Sequence, residues 1–122
     1  MSAVTGACLA IRRSVFKRVG GFDAEHLAVD YSDMDLCLRA GAAGYRTLWT
    51  PFARLLHHES ATRGPYMTAA KADRWEAETA VMRARWGGLL DRDPWYNPNL
   101  STDPRAKAYD LAFPPRSAPS AG

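Results

Sequence analysis

Apolar residues along the chain fall into three short runs of extended type and several stretches of helical type. Residues 4–11 (V-T-G-A-C-L-A-I) are typical of a short buried strand entered through a glycine. Residues 45–50 (Y-R-T-L-W-T) have the aromatic and β-branched content of a strand, and residues 53–58 can form another extended piece beyond Pro51. The pattern therefore predicts two or three strands.

Two short helices are predicted between these strands. Residues 13–19 favour a brief helix that the pair Gly20-Gly21 would stop. A second helix is expected to start at Ser32 and to end near Gly44. Ser32 and Asp35 have the spacing of a capping box, in which the serine caps the helix and the carboxylate reaches back to an open amide.

A longer amphipathic helix is predicted from residue 68 to about residue 86. Its large side chains recur at helical spacing, which favours docking through one stripe. The stripe consists of Trp75, Thr79, Met82 and Trp86. Gly87-Gly88 is expected to end this helix.

Length and composition make this an ordinary small α/β domain. The chain has 122 residues, of which 47% are apolar and 24% are charged. Two or three strands are few for a self-sufficient sheet, so the pattern resembles the later part of a larger α/β fold. We assign residues 1–90 to this portion and residues 91–122 to an irregular, proline-rich tail.

Charge and cysteine usage exclude several classes of function. The net charge is +3 and the basic residues form no run, which argues against nucleic-acid binding. Cys8 and Cys37 have neither redox nor zinc spacing, so we predict buried free thiols in a reducing compartment. The apolar runs are too short for a membrane span. A cytoplasmic protein is expected, including one that works at the cytoplasmic face of the inner membrane.

Asp33 is the carboxylate with the most unusual predicted position. On the predicted helix it lies within the apolar arc, whereas Asp35 and Arg39 form an i,i+4 pair on the opposite, solvated face. Asp33 is either a helix-start residue favoured by the helix dipole or a positioned general base.

Candidate metal ligands are few. Asp33 and Asp35 have D-x-D spacing but point to nearly opposite sides of a helix, and Asp91-Arg92-Asp93 precedes Pro94 in a typical turn. Alternate side chains of the run His57-His58-Glu59 point to opposite faces of an extended segment. One of these histidines is therefore a candidate ligand for an ion such as Mn²⁺, and a surface histidine pair is the alternative.

Several motifs together resemble the second half of family-2 glycosyltransferases. They are V-T-G-A-C-L-A-I-R-R-S-V-F at 4–16, V-G-G-F-D at 19–23, S-D-M-D-L-C-L-R at 32–39 and G-Y-R at 44–46. The later runs T-P-F-A-R-L-L-H-H-E-S-A-T-R-G, R-W-G and D-P-W-Y-N-P-N-L-S are similar to the ending of bacterial polysaccharide-building members. The resemblance covers roughly residues 3–104.

This resemblance implies a partial GT-A fold and an inverting transfer. The family's nucleotide-binding half carries a D-x-D motif, which holds a divalent metal (Mn²⁺ or Mg²⁺) and the nucleotide-sugar donor, and this chain has no counterpart of that half. The implied acceptor is a glycan or a lipid-linked sugar, in the synthesis of bacterial surface polysaccharide.

The resemblance also implies roles for individual residues. By position Asp33 is the base that deprotonates the acceptor hydroxyl, and Ser32 stands where the family usually has Glu or Asn. His57 is at the place of the metal-ligating histidine, with His58 in reserve. The remaining acceptor-side candidates are Thr5, Gly6, Trp49 and Arg63.

Three hypotheses follow. The first is a glycosyltransferase fragment or half that is inactive alone, with a partner chain as one source of the donor-binding half. The second is a non-catalytic module that binds glycans or a glycosyltransferase. The third is a small metal-dependent hydrolase that uses His57, His58 and Asp33, which predicts tight metal binding by the chain alone.

Overall fold

The structure, a computed structural model, describes residues 1–56, 68–103, 105–107 and 109–114. Its helices are a 3₁₀ turn at Gly6–Cys8, α1 at Arg13–Arg18, α2 at Ser32–Ala42 and α3 at Ala69–Asp91. Over the described ranges there is no strand, and the backbone ladder is limited to one isolated antiparallel bridge between Leu100 and Leu111.

The chain divides into two compact units, Met1–Arg85 and Trp86–Gly122. Helix α3 crosses the boundary between them. The functional division proposed above, between residues 1–90 and the tail at 91–122, stays a prediction.

Helix α1 ends where the glycine pair predicted its end. The amide of Gly21 donates to the carbonyl of Phe16 at 2.9 Å and the amide of Gly20 donates to that of Lys17 at 3.2 Å, which is the Schellman arrangement. Both glycines have positive φ. A Cβ at Gly21 would lie 3.1 Å from the Phe16 ring, so a larger residue there would also have to displace that ring.

Helix α2 begins at Ser32 as predicted, but the predicted capping box is wrong. The residue before the helix is Tyr31, in a left-handed conformation without a side-chain cap, and Ser32 is already helical. The Asp35 side chain binds arginines instead of the helix start. At the other end, Gly44 has positive φ and closes a second Schellman motif.

Helix α3 is longer than the sequence pattern predicted. It continues through Gly87-Gly88 to Asp91, so the prediction that these glycines end it is wrong. Glycine inside a helix costs about 1 kcal/mol relative to alanine, which is not enough to stop a long helix by itself. In the first unit the helix buries Glu78 and Met82, whereas Trp75 of the predicted stripe is about half exposed.

The hydrophobic core of the described residues is small. It consists of Val15, Leu27, Leu36, Cys37, Leu38, Ala40 and Met82. Two carboxylates, Asp35 and Glu78, are buried with it. Such groups require hydrogen-bonded partners, and those partners define the polar interior described below.

The predicted strands are absent from the described residues. The segment at 4–11 contains the 3₁₀ turn, and residues 45–50 and 53–56 are irregular; residues 57 and 58 of the last predicted strand lie outside the described part. A strand requires a neighbouring strand that pairs with its backbone groups, and among the described residues no strand lies beside these segments. In that part of the chain, the helical elements of the expected α/β architecture are present and its sheet is not.

The second unit is held by local contacts. Around the Leu100–Leu111 bridge, the amide of Ser101 donates to the carbonyl of Asp110 at 2.7 Å and that of Ala112 donates to Asn99 at 2.8 Å. The hydroxyl of Tyr96 donates to the carbonyl of Ser101 at 3.1 Å. These hydrogen bonds hold residues 96–101 beside residues 110–112.

Candidate functional site

Asp33 is held by two backbone amides at the start of α2. Its Oδ2 accepts a hydrogen bond from the amide of Gly6 at 2.6 Å, and its Oδ1 accepts one from the amide of Met34 at 2.8 Å. The side chain is only partly buried. The carboxylate is therefore fixed in orientation and open to solvent, a combination that suits a general base.

Gly6 approaches Asp33 so closely that a side chain would disturb the contact. A Cβ at Gly6 would lie 3.2 Å from the Cβ and 3.3 Å from Oδ2 of Asp33. The glycine therefore allows the backbone amide to reach the carboxylate.

The structure brings two of the predicted acceptor-side residues next to this contact. Thr5 precedes Gly6 and its hydroxyl accepts from the amide of Ala7 at 3.3 Å, which caps the 3₁₀ turn. Ser32 precedes Asp33 as the first residue of α2. The 3₁₀ turn and the start of α2 thus form one cluster, which is joined by the hydrogen bond between Gly6 and Asp33.

The other predicted residues are not joined to this cluster. Trp49 is 68% exposed, and no hydrogen bond connects it to Asp33 in the part of the chain that the structure describes. Arg63, His57 and His58 lie outside the described residues. Their predicted roles stay predictions.

Asp35, predicted on the solvated face, is fully buried. The i,i+4 pair is present, with Arg39 Nε 2.7 Å from Asp35 Oδ2, but Asp35 is 0% exposed. Arg85 of α3 approaches Asp35 Oδ1 at 3.3 Å, and Arg39 also donates to the carbonyls of Val19 and Gly21. Helix α3 and the loop after α1 cover this face of α2, which the helix pattern alone could not reveal.

Asp23, in the loop after α1, extends this ionic network. It accepts amides of Glu25 and His26 at 3.2 and 3.0 Å, and Arg85 donates to it at 2.6 Å. The amide of His26 and the guanidinium of Arg85 lower the pKa of Asp23 well below its usual range. The same contact raises the pKa of Arg85. One guanidinium therefore joins the V-G-G-F-D loop to α2.

Glu78 is a buried residue that the sequence analysis missed. Its two carboxylate oxygens accept the amides of Val29 and Asp30, at 3.3 and 2.6 Å. Val29 and Asp30 lie three and two positions before the first residue of α2. A signal was available, because Glu78 lies at i−4 from Met82 on the docking face of α3, although acidic residues are usually exposed.

The predicted burial of the cysteines holds for one of them. Cys37 is buried in α2, whereas Cys8 is exposed at the end of the 3₁₀ turn. The prediction for Cys8 depended on a buried strand at residues 4–11, which did not form.

Comparison with known proteins assigns the chain to a family. A profile described as glycosyl transferase family group 2 matches residues 1–99. The chain belongs to this glycosyltransferase family. Membership in this family implies a GT-A-like α/β fold.

Three relatives are similar to this chain. An uncharacterized protein of Sinorhizobium fredii is 50% identical over 84% of the chain, and the O-antigen biosynthesis protein RfbC of Myxococcus xanthus is 43% identical over 81%. The N-acetylglucosaminyl-diphospho-decaprenol L-rhamnosyltransferase of Mycobacterium tuberculosis is 43% identical over 50%. The matched regions span 11%, 7% and 20% of these relatives. No solved structure matches.

The described part of this chain does not fit a divalent-metal site by itself. Family members generally use a divalent metal. Within residues 1–56 and the described portion from 68 onward, no three His, Cys, Asp or Glu side chains are grouped as ligands would be. Both oxygens of Asp35 already face arginines.

Among the described helices, none is long and apolar enough to cross a membrane.

Proposed function

We propose that this chain is the C-terminal, acceptor-side portion of an inverting, metal-dependent glycosyltransferase. The complete enzyme transfers a sugar from a nucleotide-sugar to a glycan or lipid-linked acceptor in bacterial surface polysaccharide synthesis, at the cytoplasmic side of the membrane. The family match over residues 1–99 and relatives named for O-antigen biosynthesis and rhamnosyl transfer support this assignment.

Asp33 is the proposed general base, and its hydrogen bonding to Gly6 is the observation that carries the proposal. An inverting transfer is one in-line displacement at the anomeric carbon, so the acceptor hydroxyl must lose a proton as it attacks. Each Asp33 oxygen accepts one amide and retains a lone pair, because a carboxylate oxygen has two. The hydroxyl would approach from the solvent side, next to Thr5 and Ser32.

The chain is proposed to be inactive alone. Transfer requires donor and base in one positioned arrangement. The matched region is a small share of each relative, which supports a donor-binding half elsewhere in the parent polypeptide or on a partner chain. When bound, the metal neutralises the departing diphosphate; His57 is the proposed ligand from this chain. The donor-binding half and the role of His57 are proposals, and His57 lies outside the described residues.

A second candidate function is a non-catalytic module that binds glycans or a glycosyltransferase. The exposed apolar run favours it: Leu48, Trp49, Phe52, Leu55 and Leu56 are each more than two-thirds exposed. Exposed apolar surface of this kind usually marks an interface.

The first experiment identifies the native protein. Immunocapture from source cells with an antibody to residues 92–122, followed by intact mass spectrometry, yields either a species near 13.5 kDa or a larger one. The captured protein is then incubated with nucleotide-sugars and cell-envelope acceptors, and release of nucleoside diphosphate is measured. A larger species, or a 13.5 kDa chain with a partner, should release it. A 13.5 kDa chain that captures glycan and releases none supports the non-catalytic module instead.

The second experiment tests Asp33 in the same active species. Asp33→Asn keeps the side-chain shape and removes the base, so kcat should fall by about 10²–10⁴-fold. Asp73→Asn, at an exposed position of α3, is the matched control and should stay within twofold of wild type, roughly. Substantial activity in Asp33→Asn would refute the role of Asp33.

A further inference from the structure

The turn that leads into Asp33 contains a residue in an unfavourable conformation. Tyr31, two positions before Asp33, has φ 60° and ψ 0°, in the left-handed region that non-glycine residues seldom adopt. A conformation of this kind persists only where surrounding contacts hold it. The direction in which α2 starts, and with it the position of Asp33, depends on those contacts.

Helix α3 supplies them from two adjacent side chains. Glu78 accepts the amides of Val29 and Asp30, and the hydroxyl of Tyr31 lies 3.1 Å from Thr79 Oγ1. Three consecutive residues before α2 are thus bound to one turn of α3. The Glu78 side chain is 5% exposed, so these hydrogen bonds face little competition from water.

Arg74 provides positive charge beside this contact. Its Nε lies 3.7 Å from Asp30 Oδ2 and 4.0 Å from Glu78 Oε1. A buried carboxylate needs such a neighbour, because burial without a compensating charge is unfavourable. We call Arg74, Glu78 and Thr79 the α3 clamp.

We propose that Glu78 is a positioning residue for Asp33. By holding Val29 and Asp30, it fixes the left-handed turn at Tyr31, and this turn places the Asp33 carboxylate against the amide of Gly6. The inference rests on the proposed function, in which Asp33 is the base. It adds that the reaction depends on a carboxylate that never touches the substrate.

The chemistry of Glu78 makes a sharp variant available. Two amide donors converge on its two oxygens, and glutamine has only one oxygen. Glu78→Gln therefore keeps the size of the side chain but turns an NH₂ group toward one of the amides. Glu76→Gln is the matched control, because Glu76 is an exposed residue of the same helix.

The first readout is the split between kcat and KM in the captured active enzyme. Misplacing a catalytic group by about 1 Å can cost roughly 10²-fold in rate, so Glu78→Gln should lower kcat by at least about tenfold. KM for the donor should change less than about twofold, because the clamp includes no residue that is proposed to bind the donor. Glu76→Gln should leave both constants unchanged. An equal kcat for Glu78→Gln and wild type would overturn the proposal.

The second readout needs no catalysis. Hydrogen exchange of the Gly6 amide in the full chain reports its bond to Asp33, and the Gly21 amide, bonded to Phe16, reports general stability. Glu78→Gln should accelerate exchange at Gly6 by about tenfold and leave Gly21 unchanged. Equal acceleration at both amides would mean a loss of overall stability and would overturn the positioning role.

The two readouts separate this inference from the proposed function. If the wild-type enzyme has no transferase activity, the proposed function fails, while the Gly6 amide still decides whether Glu78 positions Asp33. Should Glu78→Gln not fold, Glu78→Asp replaces it. This variant keeps the charge but shortens the side chain by one methylene, so it draws the carboxylate back from the amides of Val29 and Asp30 and should accelerate exchange at Gly6 by a smaller factor, with Gly21 unchanged. No change at Gly6 in Glu78→Asp would then overturn the proposal.

Discussion

Replacing Arg39 with methionine should destabilise the protein strongly. Arg39 pairs with the fully buried Asp35 at 2.7 Å and donates to the carbonyls of Val19 and Gly21. Methionine has a similar length and no donors. The substitution therefore removes the arginine that lies 2.7 Å from a buried carboxylate and detaches the loop that follows α1.

The magnitude follows from the burial of the pair. Removing one partner of a buried ion pair costs about 3–5 kcal/mol. Arg85 still approaches Asp35 at 3.3 Å, and the Arg39 side chain is itself 23% exposed, so the lower end applies. We expect a loss of about 3 kcal/mol, a large fraction of the roughly 5–15 kcal/mol that stabilises a typical domain.

Urea unfolding followed by tryptophan fluorescence measures this loss. Arg46→Met, at an exposed position, is the matched control and should stay within about 0.5 kcal/mol of wild type. Equal m-values for the three proteins would show that the shift in midpoint is a change in stability. A loss below about 1 kcal/mol for Arg39→Met would refute the reasoning that the buried network holds this face of α2.

Three further predictions concern single residues of the first unit. The pKa of Asp23 is lowered in the folded state, so the stability that its charge contributes is present above the unfolded pKa of about 3.9 and is lost as the pH falls below that value. In Asp23→Asn, the free energy of unfolding should therefore depend less on pH at acid pH. An unchanged pH dependence would contradict this. Gly21→Ala should destabilise by about 1–2 kcal/mol in thermal unfolding, because φ is positive, whereas Gly41→Ala in α2 has open space and should be neutral or stabilising. In native protein Cys8 should react with a thiol reagent within minutes and Cys37 only on unfolding; equal rates would contradict the difference in burial.

The ends of helices were easier to predict from the sequence than the contacts between helices. The glycine pair after α1 and Gly44 after α2 are at the predicted ends, because positive φ is a property of the chain itself. Gly87-Gly88 misled the prediction, since both glycines are compatible with an ordinary helix and only contacts elsewhere decide whether it continues. A glycine therefore marks a possible end, and the sequence does not say which ones are used.

Burial of charge could not be predicted from one helix at a time. The helical pattern of α2 places Asp35 and Arg39 on the solvated face. That face is buried because Arg85 and the carbonyls of the loop after α1 pack against it. The burial of Glu78 was unpredictable for the same reason, because its partners are backbone amides about fifty residues earlier in the chain. The predicted base Asp33 was identified by motif, and its contact with Gly6 spans 27 positions that no local pattern connects.

The missing strands and the exposed apolar run have one physical explanation. Residues 45–56 have the composition of strands. Within the described residues, however, their backbone forms no ladder of hydrogen bonds with another strand, and Phe52 is 92% exposed. A strand is stable only when a neighbouring strand forms hydrogen bonds with its backbone and other residues cover its apolar face. A segment with the composition of a strand but without such neighbours therefore stays irregular. The helices lack this dependence, because their hydrogen bonds are internal. The proposed site therefore assembles around Asp33 within this chain, and the segment at 45–56 has the composition required to join a sheet in a larger assembly.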